Sequence, residues 1–190
     1  YSQTNWTVGD VIRYGGMNSL LLRPLSPVFD ALSSEVAGKV VYLTFVVPVT
    51  AVMAVILRPE LHLTLRNALA FVPAVALAWA LRFLWGYSLA LLAFWATQAD
   101  ALLALQDALI FLLAGQVAPT VLLPGVLRTA ALVLPFRYMV GFPVEVLSGQ
   151  LDRVGLGVGF AYQVGWLTVA LVAFLVIWRA GVRRYSAVGG

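Results

Sequence analysis

Few residues of the 190-residue sequence have the types and spacing that chemistry requires. Asp100 and Asp107 stand seven residues apart, about two helical turns, so they would share one face of a helix. Nothing near them suggests a pair of metal ligands, and we interpret the two acids as solvated residues at the end of a helix. His62 lies beside Glu60 in a short loop with no nucleophile near it, and we interpret it as a solvated loop residue.

Several motifs of catalysis are missing from the sequence. There is no cysteine, which excludes disulfides, thiolate metal sites and cysteine nucleophiles. No Gly-x-Ser-x-Gly nucleophile elbow occurs. The pair Gly38-Lys39 lacks the upstream glycine of a phosphate-binding loop. We therefore predict no catalytic residue and no metal site in this chain.

Arg82 is the charged residue whose position needs an explanation, because it lies near the middle of a long apolar stretch. A charge at the centre of a bilayer costs roughly 3 kcal/mol on insertion scales, so it usually faces a partner or water. Three interpretations stay open. Arg82 contacts an anionic substrate, or it has a structural role, either by pairing with an acid on a helix that this sequence lacks or by stabilising the bundle, or its side chain snorkels to the outer interface.

The composition predicts the environment of the chain. About 62% of the residues are hydrophobic and 11% are charged, whereas soluble domains are about one quarter charged. This excludes a disordered chain, a coiled coil and a soluble enzyme domain, and it indicates an integral membrane protein. The net charge is +4, but the basic residues are scattered beside apolar stretches, so we do not expect nucleic-acid binding.

Stretches with few charges predict four transmembrane helices, since a crossing needs about 20 apolar residues. The first spans residues 40–57, between Lys39 and Arg58. The second is a long helix over 68–97, and the third covers 101–122 with Asp107 near its start. The fourth covers 154–178 and contains no charge. The fold class is therefore predicted to be an all-α membrane protein.

Residues 1–39 are predicted to form an interfacial segment. The stretch LLRPLSP (Leu21 to Pro27) must break any helix, because two prolines cannot occupy a helix interior. Ser26-Pro27 then resembles a helix start, with a serine cap and proline in the first position. Val28, Leu32 and Val36 recur every four residues, which favours an amphipathic helix on the membrane surface. A loop followed by the start of a span is the alternative.

The region Pro119–Asp152 has apolar runs that are too short to cross a membrane. Its breaks are four prolines and three glycines: Pro119, Pro124, Pro135, Pro143, Gly125, Gly141 and Gly149. Short apolar helices between such breaks are typical of a re-entrant hairpin, whose free backbone groups must be satisfied by protein or by water. We place the hairpin at residues 123–152. A surface loop packed on the bundle is the alternative.

The arginines predict the orientation. The tail after the last span holds Arg179, Arg183 and Arg184 and no acid, so the positive-inside rule places it in the cytoplasm. Four crossings then place residues 1–39 inside as well, and the proline-rich region outside. The sequence begins with Tyr1, and its polar start does not have the pattern of a signal peptide. We therefore expect it to be part of a longer polypeptide.

Taken in order, the motifs resemble those of ABC-2-type permeases, the membrane subunits of bacterial ATP-binding-cassette exporters. The matching residues are Leu21 to Pro27, Lys39, Ala93-Phe94-Trp95, Gly115, Pro119, Pro124, Leu134-Pro135-Phe136, Phe142-Pro143, Gly149, Gln163, Trp166 and Gly189-Gly190. The resemblance covers nearly the whole chain. Members normally have six spans, so it implies that the first two are lacking here.

The resemblance also implies roles. Residues around Asp10–Gly38 would dock on a separate ATPase, which binds ATP and Mg and hydrolyses the ATP, so this chain is not itself an enzyme. Within that segment the expected coupling residues are Arg23, Pro24, Leu25, Ser26 and Pro27. The expected pathway residues of the outer re-entrant helices are Gly115, Pro119, Pro124, Pro135, Phe136, Pro143 and Gly149. The remaining part, residues 40–190, would be the permease domain.

The sequence therefore predicts an exporter permease in the bacterial inner membrane, surrounded by lipid and paired with an identical or different second permease. The few outer charges favour a lipid-like or amphipathic substrate. One alternative is a structural or assembly subunit without its own transport pathway. Another is an intramembrane enzyme, but only Arg82 and scattered hydroxyl groups could supply its chemistry.

Overall fold

The computed structural model describes residues 3–57, 64–95, 99–116 and 122–184. Over these ranges the chain folds into helices and turns and forms no β-strand, which confirms the predicted all-α class. The helices are α1 (Gln3–Arg13), α2 (Met17–Leu21), α3 (Pro27–Leu57), α4 (Leu65–Leu91), α5 (Ala99–Leu113), α6 (Gly125–Val133), α7 (Pro135–Met139), α8 (Gly141–Ser148) and α9 (Arg153–Arg184). A 3-10 turn, Leu92–Phe94, extends α4.

Three of the helices are long and apolar enough to cross a membrane. They are α3 with 31 residues, α4 with its 3-10 turn at 30 residues, and α9 over Arg153–Arg183. Each exceeds the ~20 residues that a bilayer requires. They correspond to the predicted spans at 40–57, 68–97 and 154–178. The last two residues of the predicted second span, 96 and 97, lie outside the described residues.

The predicted span over 101–122 is wrong in its extent. Helix α5 has 15 residues and ends at Leu113. At 1.5 Å per residue it is about 22 Å long, shorter than the ~30 Å hydrocarbon core. The helix ends because Gly115 adopts a φ of +79°, a left-handed conformation that commonly follows a helix end. The four-span prediction is therefore not confirmed.

The predicted boundary at residue 39 falls inside a continuous helix. Helix α3 begins at Pro27, as the Ser26-Pro27 pattern predicts, and continues without interruption to Leu57. Lys39 does not end it, because its ammonium group pairs at 3.5 Å with Glu35 one turn earlier. The amphipathic stretch and the first span thus form one continuous helix, with Pro48 inside it, and a separate helix lying on the membrane surface is not confirmed. No residue from 40 to 57 is buried in this chain.

Helices α4 and α9 pack in the same direction and form the centre of the fold. One cluster of buried side chains, here called the basal cluster, joins the second half of α4 to α1, α2 and α3. Its members are Ile12, Met17, Ala31, Phe83, Tyr87 and Leu91. The other, here called the apical cluster, joins residues 74–81 of α4 to α5–α9. Its members are Ala74, Leu81, Ile110, Leu113, Ala114, Ala131, Phe136, Tyr138, Met139, Phe142, Val146 and Ala170.

Helix α5 connects the two ends of this bundle. Its first turn lies at the basal end, where Asp100 contacts Arg13 of α1. Its last turns carry Ile110 and Leu113 into the apical cluster. The chain therefore passes from the apical to the basal end along α4, returns along α5, and descends again along α9.

Candidate functional site

The segment between α2 and α3 forms an exposed corner at the basal end. Helix α2 ends at Leu21 and α3 starts at Pro27, which confirms the predicted break over LLRPLSP. Arg23 bridges back to Asp30 on α3 at 3.5 Å, but both side chains are more than half exposed. Such a pair contributes little stability. Leu22 and Leu25 also face outward, at 87% and 67% exposure, which leaves an apolar surface available.

A groove runs along this corner. It has a volume of about 770 Å³ and lies between the corner and the first three turns of α3. Its lining comprises Leu20, Arg23, Pro24, Leu25, Pro27, Phe29, Asp30, Leu32, Ser33, Val36 and Ala37. Four of the five predicted coupling residues, all except Ser26, thus line one surface at the foot of α3.

Helix α1 is seated against three longer helices. The Thr4 hydroxyl donates to the buried carboxylate of Glu35 on α3 at 2.9 Å. At the other end of α1, the Arg13 Nη2 donates to Asp100 of α5 at 2.7 Å. The hydrogen bond that Arg13 donates to Asp100, together with the negative charge of that carboxylate, raises the pKa of Arg13. Helix α1 is therefore fixed to both α3 and α5 by charged groups.

Arg82 forms an ion pair with Asp107, between α4 and α5. The distance from Arg82 Nη2 to Asp107 Oδ1 is 3.3 Å, and the two side chains are 21% and 25% exposed. Of the three interpretations, the ion pair is the one observed, although its acid lies in this chain. Asp100 and Asp107 thus pair with different arginines. Across the described parts of the chain, no group of three His, Cys, Asp or Glu side chains could hold a metal ion.

The apical helices α6, α7 and α8 are separated by breaks at Leu134-Pro135 and Val140-Gly141. Pro135 lacks an N–H group and cannot continue α6, which leaves carbonyl groups free at the end of that helix. The Leu132 carbonyl accepts from the Tyr138 hydroxyl at 2.6 Å. The Val133 carbonyl accepts from Trp166 Nε1 at 2.8 Å. Side chains therefore satisfy the broken backbone.

Gln163 connects three elements at the apical end. Its side chain is completely buried on α9, and its Nε2 donates to the Ala74 carbonyl of α4 at 2.9 Å and to the Tyr138 carbonyl of α7 at 3.0 Å. Arg137 and Glu145 form a further ion pair between α7 and α8, with both side chains less than 15% exposed. These bonds fix the short helices to the two long ones.

The comparison with known proteins covers almost the whole chain. The model of a family described as ABC-2 family transporter protein matches residues 1–189. The chain belongs to the ABC-2 transporter family. No curated protein and no solved structure matches it significantly. Family membership and the three long apolar helices make it a multi-pass membrane subunit of a transporter. Such subunits generally are not catalytic, and the family works in general with an ABC ATPase.

In this ABC-2 transporter subunit, the predicted pathway residues gather at the apical end. Pro124 precedes α6, and Pro135 starts α7, with Phe136 edge-on to Trp85 of α4. The others are Pro143 inside α8, Gly149 after α8 with a φ of +74°, and Gly115 after α5. Pro119, His62, Glu60 and Gly189-Gly190 lie outside the described residues.

Sequence reasoning missed several polar residues of this ABC-2 subunit. Glu35 and Asn5 stand in polar stretches that look solvated, yet Asn5 is 1% and Glu35 6% exposed. Gln106, on α5, is 5% exposed. For Asn5 and Gln106 the sequence signal is the glycine on which they pack, because Gly86 is the only glycine within α4 and both side chains lie against it. No such signal marks Glu35.

Proposed function

We propose that this chain is the permease subunit of an ABC exporter, driven by ATP that a separate, Mg-dependent ATPase subunit hydrolyses. The observation that carries the proposal is the family match over residues 1–189. The residues that resemble ABC-2-type permeases lie at both ends of the bundle, in the LLRPLSP corner and in the apical helices. The proposed location is the bacterial inner membrane, with a second permease and lipid around the chain.

The basal end suits the docking of the ATPase. We assign coupling to residues 1–39 and in particular to Arg23, Pro24, Leu25, Ser26 and Pro27, because that corner is exposed and contiguous with α3. A continuous 31-residue helix transmits a displacement at its foot to its membrane-spanning part. Transport requires two global states whose balance a partner can shift. The permease domain proper is then residues 40–190.

The depth of the short helices supports a re-entrant arrangement for residues 123–152. Tyr138 of α7 and Ala74 of α4 share the amide of Gln163, and Ala74 lies nine residues into α4. At 1.5 Å per residue, this places α7 about 13 Å below the start of α4. Phe136 lies deeper still, against Trp85. Broken helices at such depth require partners from protein, and these helices have them.

This arrangement supports the four crossings that we propose. Helix α5 runs from the basal to the apical end although it is short, because the apical helices that follow it lie within the depth of α4. The arginines at 179, 183 and 184 favour a cytoplasmic end for α9, which makes the basal end cytoplasmic.

A lipid-like or amphipathic substrate is the cargo we propose. An apolar groove of about 460 Å³ opens on α9, beside the end of α6. Its lining comprises Val133, Ala161, Tyr162, Gly165, Trp166 and Val169. Apolar walls with a few polar groups at one end are typical of sites for such ligands.

The decisive experiment is copurification of the natural complex, followed by reconstitution into vesicles with fluorescent lipids. An ABC ATPase in the complex, with lipid movement that depends on ATP, is the expected result. A complex that assembles with the ATPase but moves no lipid would redirect the search for cargo to other amphipathic molecules. A chain that neither binds an ATPase nor stimulates its hydrolysis would instead support the structural or assembly subunit.

A further inference from the structure

A polar seam joins α1 to α4 and α5 at the basal end. On α1, Asn5, Gly9 and Arg13 recur every four residues and therefore share one face. Arg13 lies near the start of α5, where it pairs with Asp100, and Asn5 lies near Gln106, farther along α5. Helix α1 thus runs antiparallel to the first two turns of α5, with a charged contact at one end of the seam and uncharged amides at the other.

Three of the polar atoms on the amides of this seam are buried without hydrogen bonds in the described part of the chain. Asn5 Nδ2, Asn5 Oδ1 and Gln106 Oε1 have no partner among the residues that the structure describes. The two side chains are 1% and 5% exposed, so bulk water does not reach them. A buried polar atom without a partner is unfavourable, because it has lost its hydrogen bonds to water and gained none in the protein. Such groups call for a physical explanation, and a second conformation in which they are paired provides one.

The donor and the acceptor face the same point of the backbone. A Cβ placed on Gly86 would lie 2.2 Å from Asn5 Nδ2 and 3.4 Å from Gln106 Oε1. Only a glycine leaves the room that these two side chains occupy. Because both atoms adjoin one position, a small shift of α1 along α5 would join them in a hydrogen bond.

The contact between Arg13 and Asp100 also contains buried polar atoms that form no hydrogen bond within the described residues. Its Oδ2 accepts from Arg13, but its Oδ1 is buried without a partner, as is Arg13 Nε. Arg13 and Asp100 can therefore exchange one bond for another while staying paired. The Arg13–Asp100 ion pair can therefore be kept while α1 slides along α5. The same movement would bring the amides of Asn5 and Gln106 into contact.

We propose that Asn5 and Gln106 are positioning residues that set two alternative registers of α1 on α5. In the register described here they are apart, and in the other they form a hydrogen bond across Gly86. The ATPase, acting on the corner next to α2, selects between the registers. This inference rests on the proposed function, since it needs a partner that moves the corner. It gives α5, as well as α3, a route by which that movement enters the membrane.

Cross-linking tests the two registers, since the sequence contains no cysteine. In the natural complex, Gly9→Cys and Leu103→Cys, which lie midway along the facing stretches of α1 and α5 and leave both amides in place, are combined. The yield with a short bifunctional thiol reagent is compared without nucleotide, with ATP, and with ATP plus vanadate. A coupling of 1–3 kcal/mol predicts a yield that differs at least about fivefold between two of these states. Equal yields in all three states would overturn the proposal. Each single variant is the control for links between different molecules.

A second variant keeps the proposal testable if the double variant does not assemble. Gly86→Ala inserts a methyl group between the amides, and it should change the ATP consumed per molecule transported by about fivefold or more. Gly157→Ala on α9, where a Cβ meets nothing within 4 Å, is the matched control. If the two variants give the same ratio, the seam does not set the register. Copurification of the ATPase with the unsubstituted chain tests the proposed function separately.

Discussion

The two ends of the α4–α9 pair differ in whether their buried polar groups form hydrogen bonds. At the apical end, four backbone carbonyls accept hydrogen bonds from Gln163, Tyr138 and Trp166, and Gln163 Oε1 is the unpaired atom. At the basal end, Asn5, Gln106 and Asp100 keep atoms without partners in the described chain. Both ends are built around the same two helices, so the difference lies in what packs on them.

This contrast separates a fixed region from one that can change. Breaking a satisfied buried bond leaves two groups unpaired, which holds the apical helices in a single arrangement. Atoms that are already unpaired lose little when they move. We therefore expect substitutions at the apical end to lower the stability of the protein most. Substitutions at the basal end should instead change the coupling between ATP hydrolysis and transport.

Gln163→Leu should have the largest effect on stability. The substitution removes two hydrogen bonds and leaves the carbonyls of Ala74 and Tyr138 buried without that donor. We expect a loss of about 3 kcal/mol, with a fall in Tm of roughly 6–12 °C, measured by thermal unfolding in detergent.

Gln106→Leu is the matched change at the basal end. It removes a buried amide whose oxygen has no partner, so stability should change by less than about 1 kcal/mol. Equal losses for Gln163→Leu and Gln106→Leu would remove the distinction between the two ends.

Gly159→Ala should destabilise the apical packing next. A Cβ at this position would lie within 2.0 Å of the ring of Phe142, which is completely buried and has no room to retreat. Overpacking of this kind costs about 1–3 kcal/mol. Gly157→Ala, two residues earlier on α9, meets nothing within 4 Å and should leave stability unchanged or raise it by up to about 1 kcal/mol. A melting curve of each variant makes the comparison.

Asp107→Asn should have a smaller effect, because the ion pair that it breaks is partly exposed. Arg82 then lacks a counter-charge between α4 and α5, and we expect a loss of about 1 kcal/mol, seen as a lower yield of monodisperse protein. Combining Arg82→Leu with Asp107→Leu removes both charges and should restore that yield. If the double variant is worse than the single one, the pair has a role beyond neutralising charge.

The sequence was sufficient to predict what depends on local composition. Long runs of residues without charge identified α3, α4 and α9, and Pro24 with Pro27 identified the break before α3. The end of α5 could not be predicted in this way, because apolar residues continue beyond Gly115 and only its left-handed conformation ends the helix.

Pairing between helices was also beyond reach of the sequence. Arg82 and Asp107 stand 25 residues apart, and their contact depends on the angle at which α4 and α5 pack. Asn5 lies in a polar stretch that reads as solvated, yet Gly86 admits it into the bundle. The sequence therefore predicted candidate residues at the corner and at the apical prolines. It did not predict the polar seam between α1 and α5.

Arg23→Glu should change stability least and coupling most. Arg23 and Asp30 are both more than half exposed, so the lost ion pair should alter stability by no more than about 0.5 kcal/mol. The reversed charge lies in the surface proposed to dock the ATPase. The amount of ATPase that copurifies should therefore fall, together with the rate of transport-stimulated ATP hydrolysis. Pro24→Ala should act in the same direction, because it loosens the corner.

Arg128→Glu, an exposed charge reversal on α6 at the other end of the bundle, is the control. If Arg23→Glu and Arg128→Glu weaken the complex equally, then general electrostatics, and not the corner, holds the ATPase.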